Sequence, residues 1–343
     1  MATMKDIARL AGVSQATVSR VINGHRSVHP EIREKVMEWV YRLDYKPNAS
    51  ARALANSQSK LIGLVVPDVS NPFFPEIIRA VSREVDHHGY GLLLADSGSN
   101  ALAERRAIDV FRERRVEGLI LVPVDVRAPH VQALRRLDIP VVIMTQLVEG
   151  FLCVSTDHVT GGRLVAYHLA DLGHTRIACV GWSKDPKYRG FVEGLHERGL
   201  YFAPEDMFEC QGWGHQLYHD AYERLGGRLA AGRPEFTAVF CLNDLLAFGA
   251  MHALRDFGLR VPEDVAVVGF DNTALAAYSK PGLTSVAQPR EEIGRLAVEV
   301  LFKRLTGADK EFVGELVLRP RLVVRESTSK AAPAANSLAS GRR

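Results

Sequence analysis

The apolar residues of this chain change their spacing once, at about residue 61, and that change limits the fold more than any other feature. Before it, apolar side chains recur every three or four residues, as on one face of a helix. After it, short apolar runs alternate with helical stretches, the pattern of strands buried in parallel sheets with helices on both faces. The runs fall at 61–66, 91–95, 118–122, 140–144, 152–156, 177–181, 237–242 and 265–270, with helices such as 75–88, 101–115 and 245–257 between them. The pattern continues for more than 250 residues, too long for one typical sheet. The expected fold is therefore a small all-α domain followed by two doubly wound α/β lobes.

The α-domain reads as three short helices. Thr3 caps the first, which has Asp6 in its first turn, a stripe of Ile7, Leu10 and Ala11, and a stop at Gly12. Ser14 caps the second, from Gln15 to about Asn23, with Val18, Val21 and Ile22 inward and Gly24 beyond its end. Only Ala11-Gly12-Val13-Ser14 joins the two, and helices joined so tightly must cross steeply, as in a helix-turn-helix. A third helix opens at Pro30 and carries Ile32, Val36, Trp39, Val40 and Leu43, enough for a three-helix core. His29 stands where a Ser or Thr cap would be usual, so a weak start is expected there.

Charge and motif content narrow the function. The first sixty residues hold ten Lys/Arg against five Asp/Glu, and the remainder thirty-three against thirty-five. The positive excess thus lies in the head, where it suits either a polyanion partner or a solvated surface. The sequence contains no P-loop, G-x-G-x-x-G, G-x-S-x-G or H-E-x-x-H, and His168 and His174 have no evident catalytic partner, so an enzyme is not expected. Cys153, Cys179, Cys210 and Cys241 lie far apart without a C-x-x-C pair and read as buried free thiols. Neither a secretory leader nor an apolar run of membrane-spanning length is visible, which points to the cytoplasm, at the nucleoid, and to no membrane partner.

The run Met4-Lys5-Asp6-Ile7-Ala8-Arg9-Leu10-Ala11-Gly12-Val13-Ser14-Gln15-Ala16-Thr17-Val18-Ser19-Arg20-Val21-Ile22-Asn23-Gly24 resembles the head of the LacI/GalR family of bacterial transcription regulators. Tyr45-Lys46-Pro47-Asn48-Ala49-Ser50-Ala51-Arg52-Ala53-Leu54 resembles the same family's hinge helix. The resemblance implies a repressor that binds a double-stranded DNA operator as a homodimer, without cofactor or metal. It makes Gln15, Ala16 and Arg20 the base-reading residues. Arg20 suits guanine O6 and N7, Gln15 adenine, and Ala16 a thymine methyl. Ser14, Thr17, Ser19, Asn23 and His25 are expected on phosphates. Ala51, Arg52 and Leu54 would enter the minor groove, with Leu54 as a wedge between base pairs. The expected division is a head at 1–46, a hinge and linker at 47–60, a core at 61–326 and a disordered tail at 327–343. Within the core, one lobe takes 61–157 and 288–319 and the other 158–287 and 320–326.

In doubly wound sheets, ligands bind beyond the carboxyl ends of the strands. That rule selects Asn71, Phe73, Phe74, Thr145 and Asp157 in one lobe and Lys187, Trp213, Asn243 and Asp271 in the other. By resemblance the core is of periplasmic-binding-protein type and senses a small molecule, a sugar or sugar derivative. Phe74 and Trp213 would then stack on it, and Asn243 and Asp271 would hydrogen-bond it. One of Phe73 and Phe74 is expected in the cleft and the other in the core; Asp157 reads equally as ligand group or helix cap, and Asp244 as a cap. The family's usual Arg is Lys187 here, which keeps the charge but not the planar fork, with Arg189 nearby as a substitute.

Overall fold

The computed structural model describes residues 2–22, 24–25, 27–45, 59–212, 214–308 and 314–328. Residues 1–60 and 61–343 form two compact units.

The first unit holds α1 (Met4–Ala11), α2 (Gln15–Ile22) and α3 (Pro30–Arg42). Thr3 Oγ1 accepts the Asp6 N–H while the Asp6 carboxylate accepts the Thr3 N–H, a reciprocal cap. The Thr3 hydroxyl, which donates to the Asp6 carboxylate at 2.7 Å, and the Thr3 N–H hold that carboxyl below its ordinary value. Gly12 ends α1 at φ 66°, a left-handed conformation that favours glycine. Ser14 caps α2 through Oγ, which accepts the Thr17 N–H at 3.1 Å. Ile7, Ala8, Ala11, Val18, Val21 and Val36 form the buried core, with Trp39, Val40 and Leu43 packed on it. Leu10 and Ile32, expected inside, are exposed. The buried face of α1 runs through Ile7, Ala8 and Ala11, so Ala8 fills the place anticipated for Leu10 and allows close helix contact. His29 makes no side-chain cap bond, so α3 relies on Pro30 at its start, as anticipated.

The second unit is built on two six-stranded sheets. The first lobe contains β1 (Leu61–Val66), α4 (Phe74–His87), β2 (Gly91–Asp96), α5 (Ala101–Glu113), β3 (Gly118–Leu121), α6 (Pro129–Ala133), β4 (Val141–Met144) and β5 (Leu152–Thr156). The chain then builds α7 (His158–Asp171), β6 (Ile177–Gly181), α8 (Pro186–Glu197), β7 (Met207–Glu209), α9 (Leu217–Ala230), β8 (Ala238–Cys241), α10 (Asp244–Asp256), β9 (Ala266–Asp271), α11 (Ala274–Tyr278) and β10 (Thr284–Ala287) of the second lobe. It returns to the first for α12 (Arg290–Leu305) and β11 (Glu315–Leu318), and ends in the second with β12 (Arg321–Val323). The strand orders are β11-β5-β4-β3-β1-β2 and β12-β10-β9-β8-β6-β7. Every pairing is parallel except β12 on β10. Chain passages after β5, after β10 and between β11 and β12 tie the lobes together.

Each sheet is covered on both faces, which explains its nearly unbroken apolar strands. In the first lobe Ile62, Leu64 and Val66 face Ile77 and Val81 of α4 and Ile293 and Leu301 of α12, while Val65 and Leu121 face Ile108 and Phe111 of α5. Each such side chain, fully buried, contributes about 1.5–3 kcal/mol. In the second lobe α7 and α8 pack backbone to backbone. A Cβ on Gly162 would stand 2.0 Å from the Lys187 carbonyl oxygen, and one on Gly190 1.9 Å from that of Val159. That crossing seats Phe191 in the core and brings the start of α8, with Lys187, to the end of the sheet.

The ordered chain runs farther than expected. Ser327 and Thr328, assigned from sequence to a disordered tail, are buried. Ser327 Oγ donates to the Val267 carbonyl at 2.6 Å and accepts the Thr284 N–H at 2.8 Å, and Thr328 Oγ1 meets His168 Nε2 at 2.9 Å. Small hydroxyl residues look like linker but here complete the edge of a sheet. Residues 329–343 lie outside the described ones. All four cysteines are free and buried. Among the described residues no helix is long and apolar enough to cross a membrane.

Candidate functional site

Two sites follow from these elements, one on the head and one between the lobes. On the head, α2 directs Val18 and Val21 into the core, and helical periodicity therefore turns Gln15, Ala16 and Arg20 outward, where all three are exposed. The Arg20 side chain makes no ion pair or hydrogen bond with the described residues, so its donor fork is available, while its carbonyl accepts the His25 N–H at 2.9 Å. Ser14 and Thr17 bond each other at 2.9 Å within the cap, and Ser19 is half-buried. His25 is exposed beyond the turn that closes α2, with its carbonyl held by Arg33 Nη2 at 2.6 Å. Asn23 and the hinge residues Ala51, Arg52 and Leu54 lie outside the described residues.

The interlobe cleft is bordered by the carboxyl ends of the parallel strands. Past β1, Asp68 Oδ1 accepts the Ser70 N–H at 2.8 Å and its hydroxyl at 2.6 Å, and Asn71 Oδ1 accepts the Phe73 N–H at 3.0 Å. Phe73 and Phe74 meet edge to face at 5.1 Å, and both are buried in the first lobe's core cluster. The expected division, one in the cleft and one in the core, is not seen, because this ring pair packs as a unit at the start of α4. Thr145 follows β4 at φ 65°, its N–H bonded to the Val154 carbonyl at 2.8 Å. Asp157 caps α7, accepting the Thr160 N–H at 2.9 Å and hydroxyl at 2.6 Å. Burial pushes its carboxyl up, but the Thr160 bonds and Arg163 outweigh that and hold it below its ordinary value.

Across the cleft, Lys187 Nζ donates to the Leu242 carbonyl at 3.0 Å and lies 4.5 Å from the Phe270 ring centroid. Arg189 is exposed and pairs with Glu193 along α8 at 3.9 Å, so it does not take over the position of Lys187. Asn243 caps α10 by accepting the Leu246 N–H at 2.8 Å. Asp244, expected as a cap, instead joins separate segments: it accepts the Thr273 N–H and hydroxyl at 2.6 and 2.9 Å and the Ser285 hydroxyl at 2.5 Å. Its burial, with the nearby charge of Asp271, pushes its carboxyl up to about 7. Asp271 ends β9 at φ 106° and accepts Gln288 Nε2–H at 2.7 Å. Burial raises it to about 6 against the pull of Lys187, Gln288 and Arg290. Trp213 lies outside the described residues.

Sequence reasoning missed the residues that join the lobes. Arg290, only 8% exposed at the start of α12, donates through Nε to Glu76 of the first lobe at 2.9 Å. Its other nitrogens donate to the carbonyls of Asp271 and Asn272 in the second, the latter at 3.0 Å. His158 Nε2 donates to Gln288 Oε1 at 3.3 Å, and burial beside the Lys187 charge pushes its imidazole down to about 4. Both positions lie at chain crossings, a location that sequence spacing does not mark. Asp68 is different, since it lies two residues past a strand and the rule that selected Asn71 also reaches it. Among the described residues no cluster of His, Cys, Asp or Glu could hold a metal ion.

Comparison with known proteins finds matches for both parts of the chain. Residues 3–48 match the model of bacterial regulatory proteins of the lacI family, and residues 166–328 match a periplasmic binding protein-like domain. The HTH-type transcriptional repressor PurR of Vibrio vulnificus is 36% identical over 346 residues, covering 96% of this chain and 99% of that protein. The ribose operon repressor of Haemophilus influenzae is likewise 36% identical, covering 95% and 98%. A solved lac repressor dimer bound to operator and the anti-inducer ONPF superposes with a TM-score of 0.84 at 29% identity, covering 95% of this chain and 99% of that one. The helix-turn-helix head, the two parallel-sheet lobes and relatives matched over nearly their full length place this chain in the lacI family of bacterial regulatory proteins, as a DNA-binding transcriptional repressor with an effector domain and not an enzyme.

Proposed function

We propose that this chain is a cytoplasmic repressor that binds a pseudopalindromic operator as a homodimer, and that a sugar or sugar derivative held between the lobes sets its operator affinity. The observation that carries the reading is the outward face of α2. Gln15, Ala16 and Arg20 are exposed together, and Arg20 is unengaged within the described chain. Inserted in the major groove, that face offers one bidentate donor, one amide and one methyl, a reader of only a few base pairs. One head is too short a reader for a genome, so two related by a two-fold axis are needed, with half-sites about one helical turn apart. The lac repressor structure, a dimer on operator, supports the same arrangement here. The pairing would also bring two hinge segments together, with Ala51, Arg52 and Leu54 at the operator centre.

Hydrogen-bonding groups from both lobes, Asn71, Thr145, Asn243 and Asp271, border the cleft and suit a small polyhydroxyl ligand, and the named role of the ribose operon repressor is consistent with that class. Lys187 contributes charge without a fork. A ligand that binds one interlobe arrangement better than the other shifts the population and with it the spacing of the paired heads. A gel shift with randomised palindromic DNA, repeated with a sugar panel, tests the reading. A selected palindrome bound by dimer, with affinity changed by one panel member, is the expected result. Sedimentation that shows only monomer at micromolar concentration, with and without that DNA, counts against it.

A further inference from the structure

Asp68 is only 8% exposed, and one of its oxygens has no partner. Oδ1 is satisfied by Ser70, but Oδ2 is buried without a donor among the described residues. Gly214 of the other lobe lies against it: a Cβ built there would stand 2.6 Å from Oδ2 and 3.2 Å from the carboxyl carbon. Gly214 has φ 61° and no side chain, so the second lobe can close onto the carboxylate here, and no described residue of that lobe gives Oδ2 a hydrogen bond. A buried carboxylate oxygen without a donor is a strongly unfavourable arrangement, more so than a neutral orphan group. Between the lobes, Asp68 Oδ2 is thus held against Gly214 with no donor among the described residues.

We propose that Asp68 is a further effector-binding residue, whose unpartnered oxygen accepts a hydrogen bond from a hydroxyl or ammonium group of the effector while Gly214 seals the contact from the opposite lobe. The inference rests on the reading of the cleft as the effector site and narrows the ligand class. At the Asp68 end the effector is a donor, neutral or cationic. A carboxylate or phosphate there would meet a like charge, and the neighbouring polar atoms of the loop, Ser70 Oγ and Asn71 Oδ1, are already committed to Asp68 and to the Phe73 N–H. The small residue at 214 is then a requirement of the closed form and not an incidental turn.

The test uses the full-length protein with D-ribose, cellobiose, D-glucosamine, gluconate and glucose 6-phosphate, read by calorimetry and by operator gel shift. Wild type is expected to bind a neutral or amine-bearing probe more tightly than either anion. Asp68→Ala and Gly214→Ala should each weaken that probe at least tenfold. Asp68→Asn, which keeps an acceptor for Ser70, should raise the ligand-free melting temperature by a few degrees by removing the unpaired charge. An anion that binds best, or a probe that shifts operator binding with undiminished affinity for Asp68→Ala, overturns the assignment while leaving the sensor reading intact. If no probe affects wild-type operator binding, the sugar-sensor reading fails and the assignment with it. An unchanged or lowered ligand-free melting temperature in a cooperatively melting Asp68→Asn protein also counts against it.

Discussion

Arg20 and Asp244 carry opposite kinds of information. The Arg20 side chain is exposed and unengaged among the described residues; the Asp244 carboxyl is buried and bonded to Thr273 and Ser285. Arg20→Ala is expected to lose about 1–3 kcal/mol of discrimination, roughly 5- to 150-fold, at a single base pair. Competition gel shifts with single-base operator variants check this, since a loss that is uniform across sequences would mean a phosphate contact instead. For Asp244 the expected signature is in pH. A carboxyl whose folded value, about 7, lies above its ordinary 3.8 takes up a proton on folding. The stability it contributes is complete below the lower value and lost as the pH rises through the higher one. His158 is shifted the other way, from 6.5 to about 4, so its contribution is lost as the pH falls through that window. Asp244→Asn should therefore melt with a smaller fall in Tm between pH 5 and pH 8 than wild type, and an equal fall would refute the assignment. The exposure of Arg20 was legible in the sequence, because helix periodicity turns it away from Val18 and Val21. The role of Asp244 was not, because its partners Thr273 and Ser285 are 29 and 41 residues away.

At the scale of elements, the sequence marked those strands whose apolar runs are long and missed those that are short or mixed. The runs at 61–66 and 177–181 coincide with β1 and β6, while β7, β10, β11 and β12 escaped notice. Of those four, β7, β11 and β12 are edge strands, where burial on both faces is not enforced, while β10 is buried throughout but reads Thr-Ser-Val-Ala, without an apolar run. The packing of α7 on α8 was similarly hidden, since a glycine inside a helix usually reads as a weakness. Here Gly162 and Gly190 permit a contact that no side chain could enter. Gly190→Ala is expected to destabilise the second lobe by at least about 2 kcal/mol, because a Cβ there would strike backbone and not a movable side chain. Urea unfolding followed by tryptophan fluorescence measures it; a midpoint equal to wild type would mean that the two helices can separate without cost.

For the whole molecule, the decisive contacts are those at the crossings between lobes. Arg290 grips Glu76 on one side and the carbonyls of Asp271 and Asn272 on the other, so any change of interlobe angle must strain or re-aim one guanidinium. Lys at this position keeps the charge but cannot make the three-way grip. Arg290→Lys is expected to reduce the factor by which effector changes operator affinity by at least threefold, read from gel shifts at saturating and zero effector. An unaltered factor would show that the lobes communicate by another route. The order in which the chain visits the lobes has a further consequence, for synthesis. The first lobe begins at β1 but receives α12 and β11 only after the second has been made, so on the ribosome it waits, one apolar face open, for more than a hundred residues of translation. Any premature stop before Arg290 would release a product with that face uncovered, a substrate for chaperones and proteases and not a half-sized sensor.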